Sequence, residues 1–376
     1  MMNRLISLFI LISSNAIVFS QGKHKFEAGT SGGYEYNYFR SPTEISVGEE
    51  ILHKEDLISS SLYQDLEMKY NYRYKSRKNK LRFAINPSSR IFYENIDDSY
   101  WNLKTKANYE HKFSRKSGAF VEGRFERMNR EGLGGSQDVL INPLGFSNYG
   151  VSSGVFFGLI RRNELKLEAF YNFKDFDAFG VRDLQYQEYG GTISSVQKFR
   201  TRKLTHTLGL SITLKKRMYD TYNGDSSTPE GIRDWDYVKG VLNYGLPVSK
   251  VLEFKPGYTY YVRIDNSSGR SGFKQYGPKI GLKYDDKTTT IRTSFSYITR
   301  EYSDLEARDN EGKTGEKITY GYANFGLNGA HKIGRNLFFT ATVFSRIRKT
   351  NYTDIAARSF RNYRNQYVGI GILSKF

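Results

Sequence analysis

The five histidines, His24, His53, His111, His206 and His331, are the first residues to test for chemistry. They are scattered along the chain. No two stand at a metal-ligand spacing, and none joins a serine and an acid in a nucleophilic triad. Two stretches are rich in oxygen ligands: Asp220, Asn223, Asp225, Glu230, Asp234 and Asp236 in one, Asp304, Glu306, Asp309 and Glu311 in the other. Calcium takes such ligands, but neither stretch follows a calcium-loop spacing, and solvated charge or divalent bridging to surface phosphates is the expectation. No metal, no cofactor and no enzyme activity is expected. What remains is cationic. Lys69, Arg73, Lys104, Lys106, Arg124, Lys166, Lys239, Lys255, Arg263, Lys279, Lys283, Arg292 and Arg300 recur at every second position of their segments. The acids sharing that face, Asp65, Glu67, Glu110, Glu122, Glu126, Glu168 and Glu253, are fewer. With Lys75, Lys112, Lys174, Lys215 and Arg346 on the same face, the excess, roughly ten charges, would concentrate anions in a salt-dependent field. Pairing with those acids, as Lys112 with Glu122 or Glu126, is the competing use of the same cations.

The elements that must position them are β-strands. In residues 63–75, Leu66, Met68, Tyr70, Tyr72 and Tyr74 alternate with Asp65, Glu67, Lys69, Asn71, Arg73 and Lys75. A period of two places the two sets on opposite faces of a strand. The pattern returns in residues 101–112, 165–174, 204–215 and 251–263. Each segment, 10–13 residues long, covers the roughly 9–11 residues that a tilted strand needs to cross a bilayer, plus its ends. Short basic turns near 76–80, 114–117, 161–164, 200–203, 247–250, 285–287 and 332–336 alternate with longer polar stretches near 41–62, 94–99, 129–148, 176–184, 219–234, 265–272, 302–316 and 349–362. Seven turns and eight loops join sixteen strands, with fourteen as the alternative because 79–93 and 185–199 alternate least cleanly. Pro87 predicts a bulge or a misplaced boundary. Aromatic residues make up 15% of the chain. Tyr34, Tyr36, Tyr38, Trp101, Phe113, Tyr149, Phe173, Trp235, Tyr284, Tyr302 and Tyr320 are expected at the strand ends, facing the membrane interfaces.

The two ends give the rest. Arg4 precedes the apolar run Leu5–Val18, and Ser20 precedes Gln21, so residues 1–20 read as a cleaved secretory signal peptide and 21–376 as one domain. At the other end, Val368, Ile370, Ile372 and Phe376 share one face, while Tyr367, Gly369 and Gly371 share the other. With its terminal aromatic, this segment resembles the carboxy-terminal assembly signal of Gram-negative outer-membrane β-barrels, carried by Tyr367, Gly369, Ile370, Ile372 and Phe376. The alternation of short turns and long loops resembles the same architecture, and no particular family within it is indicated. The expected fold is therefore all-β, a transmembrane antiparallel barrel. Mean hydropathy of −0.60 does not oppose this, because half of each barrel strand faces a polar interior.

Composition narrows the function. The formal charge is +18, yet an exported chain with no nucleic-acid-binding motif is not expected to bind nucleic acid. Absence of cysteine excludes a disulfide framework and thiol chemistry. No amino-terminal stretch is long enough for a plug domain. The glycine-rich stretch 129–148 is a possible constriction loop, with a plain outside loop as the alternative. The expectation is a porin-like passive channel in the outer membrane with a basic, anion-favouring lumen. An export conduit for an acidic polymer, or a non-conducting scaffold within a secretion or assembly complex, stand as alternatives. Expected partners are outer-membrane lipid and lipopolysaccharide, the barrel assembly machinery during biogenesis, and a surface lipoprotein or secretion-complex component.

Overall fold

The computed structural model describes residues 22–130, 145–177, 185–201, 204–219, 233–267, 269, 271–356 and 361–376. Its strands are β1 (Lys23–Tyr36), β2 (Glu44–Val47), β3 (Glu50–His53), β4 (Ser61–Lys75), β5 (Asn79–Phe92), β6 (Tyr100–Lys112), β7 (Ser117–Arg130), β8 (Phe146–Phe157) and β9 (Asn163–Phe176). They continue as β10 (Gln185–Thr201), β11 (Leu204–Tyr219), β12 (Arg233–Pro247), β13 (Leu252–Asp265), β14 (Phe273–Asp285), β15 (Thr289–Asp309), β16 (Gly312–Lys332), β17 (Leu337–Thr350) and β18 (Tyr363–Lys375). All but β2 and β3 form one closed barrel of sixteen antiparallel strands, not fourteen. Strand β1 closes it against β18, in register from Glu27↔Lys375 to Tyr36↔Gln366. The amide of Phe376 donates to the Phe26 carbonyl at 2.8 Å, so the last residue extends the closing ladder. Closure leaves no sheet edge and pairs every strand on both sides, as a sheet in hydrocarbon requires.

The two faces differ as the period of two demands. Met68, Ile193, Leu210, Leu214, Phe295 and Ile370 stand exposed on the outer face. In a water-facing sheet, apolar exposure on this scale would be a liability; against lipid it is the stabilising surface. Consecutive strands at one end are separated by two to five residues. The connectors at the other end are longer, with one exception.

That exception corrects the expected loop at 302–316. Strands β15 and β16 run on past the barrel as a hairpin, with Asp309 opposite Gly312. The Asp309 carboxylate accepts the amides of Glu311 (2.9 Å) and Gly312 (3.0 Å) at its tip. Register shifts between Glu301 and Arg308 mark where the hairpin leaves the barrel wall. The connector 37–60 also carries structure: β2 pairs with β3, and one helical turn, Lys54–Leu57, follows. Ser46 donates its amide to the Ile355 carbonyl at 2.8 Å, docking this connector on the one before β18.

Pro87 neither shifts the register nor ends the strand. It lies within β5 opposite Leu103. The β4–β5 ladder lapses between Glu67↔Ser88 and Tyr70↔Ile85 and resumes in the same register. A proline on a ladder removes one donor without adding a residue. The expected signal peptide, residues 1–20, and residues 131–144 of the expected constriction loop lie outside the described residues.

Candidate functional site, the inner wall

Which side chains face inward follows from the ladders. Arg90 of β5 reaches past β4 to Glu35 of β1, a contact available only on the concave side. Side chains sharing its face strand by strand form the inner wall. Lys69, Arg73, Lys104, Lys106, Arg124, Lys166, Lys239, Lys255, Arg263, Lys279, Lys283, Arg292 and Arg300 all lie on it. The wall has three zones.

The first lies over the closing seam. Arg90 holds Asp65 through two hydrogen bonds of 2.7 Å and also pairs with Glu35. Glu35 accepts from the Asn365 side-chain amide of β18 at 3.0 Å. Four strands are thus tied across the seam by one charged group. The Arg90 guanidinium sits 4.0 Å from the centroid of Tyr63. Tyr63 lies flat because Gly33 and Gly369 face it: a Cβ on Gly369 would fall 2.4 Å from the Tyr63 hydroxyl. Of the terminal-signal residues, Tyr367 and Gly369 therefore belong to this inner seam, Tyr367 stacking on Phe344 at 5.0 Å. Ile370, Ile372 and Phe376 stand exposed on the outer face.

The second zone is an aromatic belt toward the long-connector end. Tyr186, Tyr219, Trp235, Tyr237, Tyr261, Phe273, Tyr302, Tyr320 and Tyr322 follow one another from β10 to β16, with successive centroids 5.1–6.4 Å apart. Arginines intercalate: Arg217 over Tyr186 (4.2 Å), Arg263 over Trp235 (4.2 Å) and Arg300 over Phe273 (4.2 Å). Such cation–π contacts strengthen when shielded from water, and Trp235, Tyr237, Phe273, Tyr302 and Tyr320 are buried.

The belt corrects the expected outward girdle. Trp235, Tyr302 and Tyr320 face inward, and Tyr38 is buried against Phe92 in the first connector, 4.2 Å between centroids. Tyr34, Trp101, Phe113 and Tyr149 are exposed to the outside as expected. Parity carried the missed signal: Trp235 and Tyr237 alternate in step with Lys239, and Tyr302 in step with Arg300.

The third zone, toward the short-turn end, is polar and open. Most of its acids are engaged: Lys104 on Glu126 (3.1 Å), Lys106 on Glu122 (2.8 Å), Lys255 on Glu253 (3.0 Å), Lys283 on Asp285 (2.6 Å), and Lys166 on Glu168, while Glu27, Glu67 and Glu164 share the inner face outside these pairs. Such solvated pairs contribute ~1 kcal/mol or less each, so they set charge distribution more than stability. Lys69, Arg73, Lys239, Lys279 and Arg292 are exposed, and among the described residues no carboxylate lies within 4.0 Å of them. The cations therefore outnumber the acids left to answer them.

The histidines stay apart. His24, His111, His206 and His331 bond to Tyr70, Asn79, Tyr244 and Thr289 at 2.9, 2.7, 2.8 and 2.8 Å. All four lie on the outer face near the short turns, where their rings extend the aromatic girdle. Of the acid-rich stretches, Asp220–Glu230 lies outside the described residues; Asp234 pairs with Lys216 at 2.7 Å, and Glu306 with Lys313 at 3.1 Å.

One contact in the connectors titrates. The Tyr38 hydroxyl donates to Asp98 at 2.5 Å. Burial pushes the Asp98 carboxyl above its usual range, against the opposing pull of Tyr38 and Arg130. A raised carboxyl binds its proton more tightly when docked. Its contribution to docking is then fully present below the ordinary carboxyl range and is lost as pH rises through the raised value. Amide protection of Tyr38, which donates its N–H to Ser59 at 3.1 Å, is expected to fall as pH rises through that raised value. In Asp98→Asn the fall should disappear; an unchanged fall contradicts the assignment.

No protein-family profile matches the chain, and no curated protein matches it significantly. Among solved structures, it is similar to the outer membrane protein opdK of Pseudomonas aeruginosa, at 11% identity over 94% of this chain and 99% of that one, TM-score 0.44. It is also similar to a bacterial polysaccharide outer membrane secretin (10% identity, 94% and 98% covered, TM-score 0.45) and to the siderophore receptor PirA of Pseudomonas aeruginosa (8% identity, 93% and 80% covered, TM-score 0.41). Likeness at this level carries no argument about substrate, and the barrel stands on the chain's own strand pairing.

Proposed function

We propose that this chain is an integral outer-membrane channel for small solutes whose inner wall favours anions. The observation that carries the reading is the imbalance in the third zone. Most of its acids already hold cations, and the unpaired inward acids, Glu27, Glu67 and Glu164, are fewer than the exposed cations Lys69, Arg73, Lys239, Lys279 and Arg292, which have no carboxylate within 4.0 Å among the described residues. A sixteen-stranded barrel is wide enough to hold water, and water keeps those cations charged. Their summed field raises the local anion concentration and repels cations. Passage is then passive, down the solute's own gradient. The chain would reach the outer membrane by its signal peptide, with the barrel assembly machinery reading the closing strand through Ile370, Ile372 and Phe376.

Osmotic swelling of proteoliposomes tests this. Gluconate is expected to enter several-fold faster than glucosamine, a solute of similar size and opposite charge. Equal rates, or faster glucosamine, would remove the anion preference. No swelling with any solute would sink the channel reading and leave that of a scaffold in a secretion or assembly complex. A second reading, export of an acidic polymer, draws on Arg263 and Arg300, which continue the cations into the belt.

A further inference from the structure

The free cations are not spread evenly. Between β10 and β15, near the short turns, the inner wall forms a concavity of about 820 Å³. Lys198, Lys255, Lys279, Lys283 and Arg292 line it, against a single lining carboxylate, Glu253. Lys255 and Lys283 already have acids, Glu253 and Asp285. Lys198, Lys279 and Arg292 are exposed, with no carboxylate within 4.0 Å among the described residues.

Two features show that the arrangement is held against its own repulsion. Lys283 stands directly opposite Arg292 in the β14–β15 ladder, and like charges in that position are destabilising. Gly281, opposite Lys255, keeps the wall open: a Cβ there would fall 3.3 Å from that of Lys255. Thr207, Asn243 and Ser294 add neutral donors to the lining. The charges exceed what one monovalent ion can answer, and the hydroxyl and amide donors suit oxyanions.

We propose that this concavity is a binding site for a multivalent oxyanion, a solute carrying two or more carboxylate or phosphate groups. It rests on the reading of the inner wall as an anion path and adds the substrate class. Lysines near the short turns would hold the solute as point charges, and Arg292 would take one oxyanion group through its planar fork.

Isothermal titration of the full-length barrel in detergent reads binding independently of permeation. Citrate and tripolyphosphate are the two probes, and acetate is the monovalent reference. Saturable binding of either probe is expected, at least ~10-fold tighter than acetate at low salt. Citrate alone would assign the site to carboxylates, tripolyphosphate alone to phosphates, and both to the shared charge. The double variant Lys279→Gln with Arg292→Gln should weaken binding at least ~10-fold, while Lys279→Arg with Arg292→Lys should largely retain it. Absence of saturable binding, or an affinity unchanged in the neutral double variant, would overturn the proposal. A barrel that binds the probes without swelling loses the channel reading and keeps this site. One that swells without binding loses only the site.

Discussion

Replacing Arg90 with alanine is expected to lower the unfolding free energy of the barrel by about 3–5 kcal/mol. The guanidinium is 13% exposed, and the two carboxylates it serves are 10% and 16% exposed. Removing it leaves Glu35 and Asp65 facing each other in a poorly hydrated pocket. The loss falls at the worst place, because Glu35 also carries the hydrogen bond to Asn365 that ties β1 to β18. Urea unfolding in lipid vesicles measures the effect. Arg90→Met combined with Glu35→Gln and Asp65→Asn should recover most of it, since a neutral site costs less than a broken charged one. A loss below ~1 kcal/mol for Arg90→Ala, the level of a solvated pair, would show that the seam does not depend on this group.

The second large effect separates the faces. Ile370 lies mid-strand in β18 with its side chain exposed on the outside, opposite Ala341 of β17 and Gly32 of β1. Ile370→Arg is expected to destabilise the inserted barrel by about 2–4 kcal/mol, the cost of a cation on the lipid face near the midplane. Thr342 is one residue along β17 from Ala341, on the inner face opposite Asn328 and Gly369. Thr342→Arg should stay within roughly 0.5 kcal/mol, as expected at a solvated surface site. The same unfolding assay reads both. Equal costs would mean that the two faces meet the same medium, contradicting the placement of lipid outside and water inside.

Most of the barrel was legible because its physics repeats. Each crossing strand must be apolar toward lipid and polar inside, so residues 63–75 or 204–215 announce themselves. The turns do so as well, because one end of such a barrel needs only a reversal. The 302–316 hairpin was illegible for the same reason. Beyond the bilayer no long apolar face is required: Asp304, Glu306 and Arg308 alternate with only Leu305 and Ala307, and the returning stretch 312–317 has no apolar face to mark it as a strand. Trp235, Tyr302 and Tyr320 were read by residue type, as interfacial aromatics, when their parity with neighbouring cations placed them inside. The role of Gly369 could not be read locally, since the Tyr63 ring it accommodates, already opposite Gly33 in the β1–β4 ladder, is brought over it only by closure of the barrel. The uneven charge along the inner wall was hidden as well: which cations find a carboxylate depends on cross-strand register, as with Lys106 and Glu122 but not Lys279.

The central claim is that unanswered cations on the inner wall make the water-filled barrel favour anions. The reversal potential of the full-length protein in a planar bilayer under a potassium chloride gradient measures this most directly. The account predicts open-channel conductance with a reversal potential of the sign set by chloride, moving toward zero when Lys69, Arg73, Lys239, Lys279 and Arg292 are replaced by glutamine. A reversal potential of the sign set by potassium in the unaltered protein would contradict it.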